Sequence, residues 1–435
     1  MIRRIALWSV LIALPLLLLG AAIGGVLLLR QGGLAPYRLP AGTAAAPAAG
    51  DAAEGAYLAR IGNCLTCHTV RGGVAFAGGR PFRTDYGTLY STNLTPDPNT
   101  GLGDWSVEAF RHAMRHGVSR HGVLYPAFPY ANFAHLTDAD LDALFAYLRT
   151  LPPVEALPPP NDLQWPASWR GALVGWRMLH YRPAPLPPAP ADAPPGWLRG
   201  RYLVDGLGHC AMCHGTRGAQ GSLPTEGYLA GGRIPGQGWY APPLDARQLA
   251  RYDVDQLADY LVTGNGEHGA AYGSMAEVVY TSLRHLRADD ARAMATYLKS
   301  VPPHGGDEKP DAGRFLYAAA QPAANPHNGG RLYQDHCASC HGDSGEGRGH
   351  DYPPLRGAVS VTAPDPVNAV RLVLYGGMPP TTAGNPRPHS MPPFAGRLGN
   401  AEIAAIVTHI RRNWGEQDRP VSAADVAAYY GIRGD

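Results

Sequence analysis

Apolar and polar residues alternate with a helical period in three widely separated segments of the chain. These are residues 136–148, 286–298 and 400–410, where apolar side chains recur three or four positions apart. The spacing predicts an amphipathic helix in each segment, and Thr137 and Asn400, each soon followed by an acidic residue, are suitable N-caps. A shorter helical segment lies well upstream of each, so the pattern predicts an all-α fold built from three copies of one plan.

The longest apolar run of the chain is at its N-terminus, at residues 5–29, directly after two arginines. About 20 apolar residues cross a bilayer as a helix, so we expect residues 1–50 to form a membrane anchor and its tether. Arginines that precede such a run stay in the cytoplasm, and the rest of the chain is then exported. A cleaved signal peptide is the alternative, because residues 41–50 contain small residues suited to cleavage.

Two proline-rich segments interrupt the pattern, and sequences of this kind form semi-rigid spacers. They divide the chain into predicted domains at residues 51–155, 196–303 and 327–420, with linkers at 156–195 and 304–326 and a tail at 421–435. The first linker contains an apolar stripe at near-helical spacing formed by Trp165, Trp169, Leu173, Trp176 and Leu179. We interpret the stripe as a short helix packed on a neighbouring domain, and a surface that docks a partner is the alternative.

Composition limits the functions open to this chain. Its 435 residues suffice for several domains, and a hydrophobic fraction of 45% indicates folded protein. A formal net charge of +2 provides no basic surface of the kind that nucleic-acid binding requires, so nucleic acid is not expected as a partner. The sequence contains neither a glycine-rich nucleotide fingerprint after a strand nor a Gly-x-Ser-x-Gly motif, so nothing in it suggests substrate chemistry.

All six cysteines fall into Cys-x-x-Cys pairs, and a histidine directly follows each pair. The three sites are Cys64, Cys67 and His68; Cys210, Cys213 and His214; and Cys337, Cys340 and His341. Two thiols on one helical turn can form thioethers with the vinyl groups of haem, while the adjacent imidazole binds its iron. Zinc would need paired half-sites, and a thioredoxin-like site would not need the histidine. The sequence therefore predicts three covalent haem c groups.

Each haem iron has a sixth coordination position, which methionine commonly fills in electron-carrying cytochromes. We expect this ligand in a loop before the last helix of each domain. Met391, followed by two prolines, is predicted for the third domain in preference to Met378, and Met275 is predicted for the second. Met294 lies on the apolar face of a predicted helix and is expected in the core. Met212 lies between two cysteines, too near the proximal side of the ring to act as the sixth ligand.

The first domain departs from this plan, because Phe128 occupies the expected ligand position and phenylalanine cannot bind iron. Met114 is the only methionine of this domain before its last helix, and its role is open between an axial ligand and a core residue. A histidine ligand and an open sixth position are further alternatives. The nearby histidines, each expected to be exposed or hydrogen-bonded, are His112, His116, His121 and His135.

Several ordered segments give the chain a resemblance to a known family. They are residues 87–97 (GTLYSTNLTPD), 101–105 (GLGDW), 125–130 (YPAFPY), 275–279 (MAEVV) and 391–394 (MPPF). In these segments the chain resembles the membrane-bound, three-haem cytochrome c subunit of bacterial periplasmic dehydrogenases, including those for alcohols, gluconate, aldehydes and N-heterocycles. Many members of that family have methionine where this chain has Phe128.

The resemblance implies three tandem class I cytochrome c domains after an N-terminal transmembrane helix, on the periplasmic side of the cell inner membrane. It also implies electron transfer in a respiratory chain, without catalysis by the chain itself. Electrons would come from a catalytic dehydrogenase subunit that holds a quinone, flavin or molybdenum cofactor, and would pass to ubiquinone or a terminal oxidase. A peroxidase-like haem enzyme, or a ligand-binding haem protein, with an open first haem is the alternative, because of Phe128.

Overall fold

A computed structural model describes residues 14–15, 17–20, 22–26, 50–181, 186, 188–223, 227–304, 328–349 and 351–430. Much of the apolar run at residues 5–29 and nearly all of the second predicted linker lie outside these described residues. Within the described part, no helix is both long and apolar enough to cross a membrane.

Helices form the framework. In chain order they are α1 (Ala52–Ile61), α2 (Cys64–Cys67), α3 (Val107–His116), α4 (Tyr130–Phe133), α5 (Asp138–Thr150), α6 (Arg170–His180), α7 (Trp197–Arg201), α8 (Ala211–His214), α9 (Val254–Thr263), α10 (Gly273–Thr281), α11 (Ala288–Ser300), α12 (Gly329–His336), α13 (Ala338–His341), α14 (Val359–Thr362), α15 (Val367–Tyr375), α16 (Asn400–Trp414) and α17 (Ala423–Ala428). A π-helix (Tyr202–Leu207) follows α7, and 3₁₀ turns lie at Ala219–Gly221 and Leu283–His285.

Short antiparallel strands add to the helical framework that the sequence predicted. They are β1 (Pro81–Thr84), β2 (Gly87–Tyr90), β3 (Val118–Ser119), β4 (Gly122–Val123), β5 (Asp162–Leu163), β6 (Gly232–Arg233), β7 (Tyr240–Ala241), β8 (Asn265–Gly266) and β9 (Gly269–Ala270). The first, second and fifth form a sheet in the order β1-β2-β5, and the others pair as two-stranded hairpins. The all-α prediction is therefore right for the framework and incomplete for the loops.

The helix before each Cys-x-x-Cys-His segment packs against a long helix that comes much later in the same region. The pairs are α1 with α5, α7 with α11, and α12 with α16. A glycine stands at each crossing, because a Cβ there would lie 1.8 Å from Ala143 O at Gly55, 1.9 Å from Ala293 O at Gly200 and 2.3 Å from Ala405 O at Gly329. Backbones can approach this closely only where no side chain separates them. The described chain thus repeats one helix crossing three times.

The interval between the crossing glycine and the first cysteine is longer in the second region than in the first. One residue more separates Gly200 from Cys210 than separates Gly55 from Cys64. The π-helix Tyr202–Leu207 lies in this interval, and a π-turn accommodates one extra residue within a helix. Both crossings can therefore present their cysteines at the same place despite the different spacing.

The long helices begin nearly where the apolar pattern indicated. Thr137 caps α5 as predicted, its side chain accepting a hydrogen bond from Asp140 N at 3.2 Å. The prediction for Asn400 is wrong, since Asn400 is the first residue of α16 and Gly399 is the N-cap. The Glu402 carboxylate accepts from the Gly399 amide at 2.8 Å, so the acidic residue forms the cap that was attributed to asparagine.

Buried apolar side chains fall into two main cores. One core is continuous from Leu58 to Val301 and so includes the helices around the first two Cys-x-x-Cys-His segments. The other is built around the third segment, from Tyr333 to Tyr429, with Tyr240 added from the second region. The first two regions therefore fold against one another, and the third packs on the second.

Candidate haem-attachment sites

Each Cys-x-x-Cys-His segment forms one short helical turn. In every copy the histidine amide donates to the carbonyl of the first cysteine, at 3.0 Å for His68, 2.8 Å for His214 and 2.9 Å for His341. This bond closes the turn, so both thiols and the imidazole project from one compact stretch of backbone. The grouping predicted from the spacing is therefore present at all three positions.

The three histidines are oriented by the same kind of bond, in which ring nitrogen Nδ1 contacts a backbone carbonyl oxygen. The bonds join His68 to Thr92 over 2.7 Å, His214 to Pro242 over 2.8 Å and His341 to Pro353 over 3.0 Å. A carbonyl can only accept, so Nδ1 carries the proton and Nε2 keeps its lone pair. An imidazole held in this tautomer is the form that ligates a metal, and its second nitrogen fixes the ring orientation.

Burial keeps these side chains uncharged. It lowers the pKa of His68, His214 and His341, each partly opposed by the bond to the carbonyl. Burial also raises the pKa of Cys64 to about 12 and that of Cys337 to about 11. The six thiols form no disulfide. A neutral imidazole beside two protonated, unpaired thiols fits a covalently attached haem, whose vinyl groups would be held by the cysteines and whose iron would be held by Nε2.

The predicted sixth ligand of the third site lies in a fixed loop. Met391 N donates to Gly377 O at 2.7 Å, and Gly377 N donates to Met391 O at 3.1 Å. The Met391 side chain is partly buried against the third core, whereas its competitor Met378 is 57% exposed. The geometry favours Met391, and its role as ligand stays a prediction.

Met275 is placed differently from the loop position that was predicted. It lies in the first turn of α10, where its side chain packs against the large core. Met294 is buried inside α11, in agreement with its predicted core role. Met212 lies within α8 between Cys210 and Cys213.

The first region brings the two residues in question into one core. Phe128 packs edge-on against Phe133, with ring centroids 5.3 Å apart. Met114 lies in α3 and is buried in the same core. Its burial suits a core residue and a buried ligand equally, so the prediction for Met114 stays open. Of the histidines, His112 binds Val118 O through Nδ1 at 2.9 Å.

The first and second sites lie side by side. Burial raises the pKa of Cys67, the Arg80 cation lowers it, and a Cys213 thiolate would raise it again, because the two sites are within electrostatic reach of one another. His209, directly before Cys210, contacts Gly62 O with Nε2 at 3.3 Å.

An arginine and a glutamate that sequence reasoning missed connect these two sites. Arg80 donates through Nη1 to Thr66 O at 2.7 Å, between the two cysteines of the first site. The same guanidinium binds Glu277 at 2.9 and 3.3 Å, two residues after Met275. Arg80 belongs to no periodic pattern or quoted motif, and Glu277 lies inside the segment 275–279 (MAEVV) without having been singled out there as a contact residue.

The second site contains a further group that the sequence did not single out. Asp205 lies in the π-helix and accepts hydrogen bonds from Tyr228 and, at 2.9 Å, from Tyr297. Burial raises the pKa of Asp205 to about 7, opposed by the Tyr297 bond and the nearby Arg201 cation.

Paired thiols with a carbonyl-oriented histidine, carried on crossing helices, are the features of c-type cytochromes. A family model described as cytochrome c matches residues 52–152 and 326–414. Relatives extend the similarity across the intervening region. The gluconate 2-dehydrogenase cytochrome c subunit of Pantoea cypripedii is 39% identical over 86% of this chain and 88% of its own length.

Two other relatives are named as cytochrome subunits of different dehydrogenases. The cytochrome c subunit of the quinone-type alcohol dehydrogenase of Gluconobacter oxydans is 37% identical over 86% of this chain and 80% of its own length. The fructose dehydrogenase cytochrome subunit of Gluconobacter japonicus is 35% identical over 85% of this chain and 80% of its own length. The chain belongs to the family of cytochrome c subunits of dehydrogenases, which confirms the resemblance seen in the sequence. It is an electron-transfer cytochrome with covalent haem, and not itself a catalytic subunit.

Proposed function

We propose that this chain carries three c-type haems and relays electrons from a catalytic dehydrogenase subunit to ubiquinone or a terminal oxidase. The proposal includes three tandem class I cytochrome c domains behind an N-terminal membrane anchor, on the periplasmic side of the inner membrane. The observation that carries it is the threefold recurrence of paired thiols beside a histidine whose Nδ1 is bound to a carbonyl. The relatives' names supply the kind of electron donor.

Covalently held haem supplies an iron that changes oxidation state without a change in the protein's bonds. The chain's own residues would hold it in place: the cysteines would hold the ring, and His68, His214 and His341 would offer Nε2 to the iron. Met275 and Met391 are proposed as further iron ligands of the second and third sites, and Met114 is proposed for the first site. A soft thioether in this position favours the reduced iron and raises the reduction potential.

Contacts between regions support a relay in the order of the chain. The first two sites share a core and lie within electrostatic reach of each other. The third region contacts the second through an ion pair, in which Arg233 Nε lies 2.6 Å from Asp365 Oδ2. Tyr240 and Asn368 reinforce this junction, since Asn368 Nδ2 donates to Tyr240 O at 2.7 Å and Tyr240 N donates to Asn368 Oδ1 at 3.0 Å.

The proposal is tested on the complex of this chain with the large subunit that co-purifies with it. Gluconate, a primary alcohol and fructose are offered in turn as donors, and a short-chain ubiquinone is added afterwards. One donor is expected to reduce the haem absorption bands, and the quinone is expected to reoxidise them. If substrate is consumed with an artificial dye while the haems remain oxidised, the chain is not the electron acceptor.

A haem enzyme or a ligand-binding haem protein is the second candidate, which Phe128 favours because it removes a methionine from the ligand loop of the first site. The reduced full chain is exposed to carbon monoxide, and the relay predicts no change in its spectrum. Rapid binding to one haem would identify an open iron and support the second candidate.

A further inference from the structure

Helix α6, which follows the first region, has a buried side and an outward side. One side is buried, with Leu173 packed against Val118 and Val123. On the same side the buried Arg177 guanidinium lies over the rings of Tyr130 and Tyr181, at 4.9 and 4.3 Å from their centroids. These contacts fix the rotation of α6 about its axis.

The opposite side of α6 carries no charged residue. A helical projection places Ala172, Gly175, Met178 and Leu179 there, and Leu179 is 63% exposed. We call these four residues, with Trp169, the outer face; Trp169 lies directly over the start of the helix, since a Cβ at Gly171 would be 2.4 Å from Trp169 Cζ2, and Trp165 precedes it in the chain. Trp165 is 81% exposed and Trp169 is 64% exposed. Large apolar side chains grouped on a surface mark a site of interaction.

The N-terminal apolar run indicates what covers the outer face. Gly24, in a helical part of that run, lies against α6, because a Cβ at Gly24 would be 3.8 Å from Met178 Cε. The apolar run ends at residue 29, five positions after Gly24, so Gly24 lies near the C-terminal end of the run. With the N-terminus in the cytoplasm, this position corresponds to the outer boundary of the hydrocarbon layer.

We propose that the outer face of α6 lies on the periplasmic surface of the membrane, in contact with phospholipid, beside the N-terminal anchor. The inference rests on the membrane anchor of the proposed function. Tryptophan is enriched at the boundary between lipid and water, where its ring is apolar and its N–H remains hydrated.

Contact between the outer face and the lipid would fix the orientation of the haem-bearing regions relative to the membrane. A second contact through α6 would hold the first region close to the lipid, because α6 is packed rigidly on that region through Leu173 and Arg177.

Photo-cross-linking of the full, haem-loaded chain tests the inference. The photoreactive residue benzoylphenylalanine replaces Trp169 in one variant, Ile23 in the anchor in a second, and Leu198 in a third. Leu198 is 57% exposed but lies on α7, away from the outer face, and serves as the matched control. Each variant is irradiated in vesicles of phosphatidylethanolamine and phosphatidylglycerol, with the co-purifying large subunit present, and adducts are identified by mass.

Phospholipid adducts at positions 169 and 23 but not at 198 are the expected result. Lipid adducts at 23 alone would overturn the α6 surface and leave the anchor intact. Absence of lipid adducts at both 23 and 169 would overturn the anchor and the inference together. An adduct to the large subunit at position 169 would overturn the inference in favour of protein docking. Lipid adducts at position 198 in addition to those at positions 169 and 23 would show that labelling is not specific, and would also overturn the inference.

Discussion

The contact between Arg80 and Glu277 gives the most specific prediction about how the first two sites are held together. The pair joins α10, which carries Met275, to the backbone between the first two cysteines through the bond to Thr66 O. Arg80→Gln shortens the side chain and removes the charge and most of the donors. We expect the contact between α10 and the first site to weaken.

The size of the effect follows from burial. The Arg80 and Glu277 side chains are 21% and 35% exposed, so the ion pair is partly screened by water and contributes roughly 0.5–1 kcal/mol. The bond from the charged guanidinium to Thr66 O contributes roughly 1.5 kcal/mol more. Arg80→Gln should therefore lower the free energy of unfolding by about 2 kcal/mol.

A second ion pair between the same two regions supplies the control. Arg287 binds Glu54 at 2.6 Å, but the arginine side chain is 54% exposed and the pair touches no cysteine turn. Arg287→Gln should lower the free energy of unfolding by less than about 1 kcal/mol. Denaturant titration of the haem-loaded chain, followed by haem absorption, measures both variants. Equal losses for the two variants would refute a special role for the contact with Thr66.

Three further predictions concern the third site, the buried Asp205 carboxyl group and the helix crossing at Gly55. Met391→Ala should leave the third haem attached but lower its reduction potential in a redox titration, whereas Met378→Ala should leave the potential unchanged; the reverse result would exchange the two assignments. The raised pKa of Asp205, about 7, means that the folded chain holds a proton that the unfolded chain releases above about pH 4. Stability should therefore fall as pH rises from about 4 to 7, and Asp205→Asn should flatten that decline in denaturant titrations at several pH values; an unchanged slope would contradict the assignment. Gly55→Ala should lower the unfolding free energy by at least about 1–3 kcal/mol, because its Cβ would overlap Ala143 O, while Gly396→Ala, with open space around it, should change it little; similar losses would contradict the close helix crossing.

The sequence was most informative where one short stretch of chain determines the structure. Thr137 caps its helix, and each Cys-x-x-Cys-His segment forms its turn, because all the atoms involved lie within a few residues. Of the predicted apolar stripe, Leu173, Trp176 and Leu179 lie in α6, whereas Trp165 and Trp169 precede the helix. Amphipathic periodicity located the long helices, although the cap of α16 shifted by one residue to Gly399.

Features that depend on distant parts of the chain could not be read from local pattern. The carbonyl that orients His68 belongs to Thr92, in a loop after β2, and any residue type offers a carbonyl. Arg80 and Glu277 meet across nearly two hundred residues. Met275 was expected in a loop because the axial methionine was sought in a loop before the last helix of each domain, yet the helix α10 already begins at Gly273 and includes Met275, which packs against the large core.

The central claim is that one chain holds three covalent haems, and the mass of the intact, purified chain tests it most directly. We predict a mass equal to that of the chain plus three haems. The paired variants Cys64→Ala with Cys67→Ala, Cys210→Ala with Cys213→Ala, and Cys337→Ala with Cys340→Ala should each reduce this by one haem. A wild-type mass corresponding to two haems or fewer, or a paired variant that keeps all three, would contradict the account.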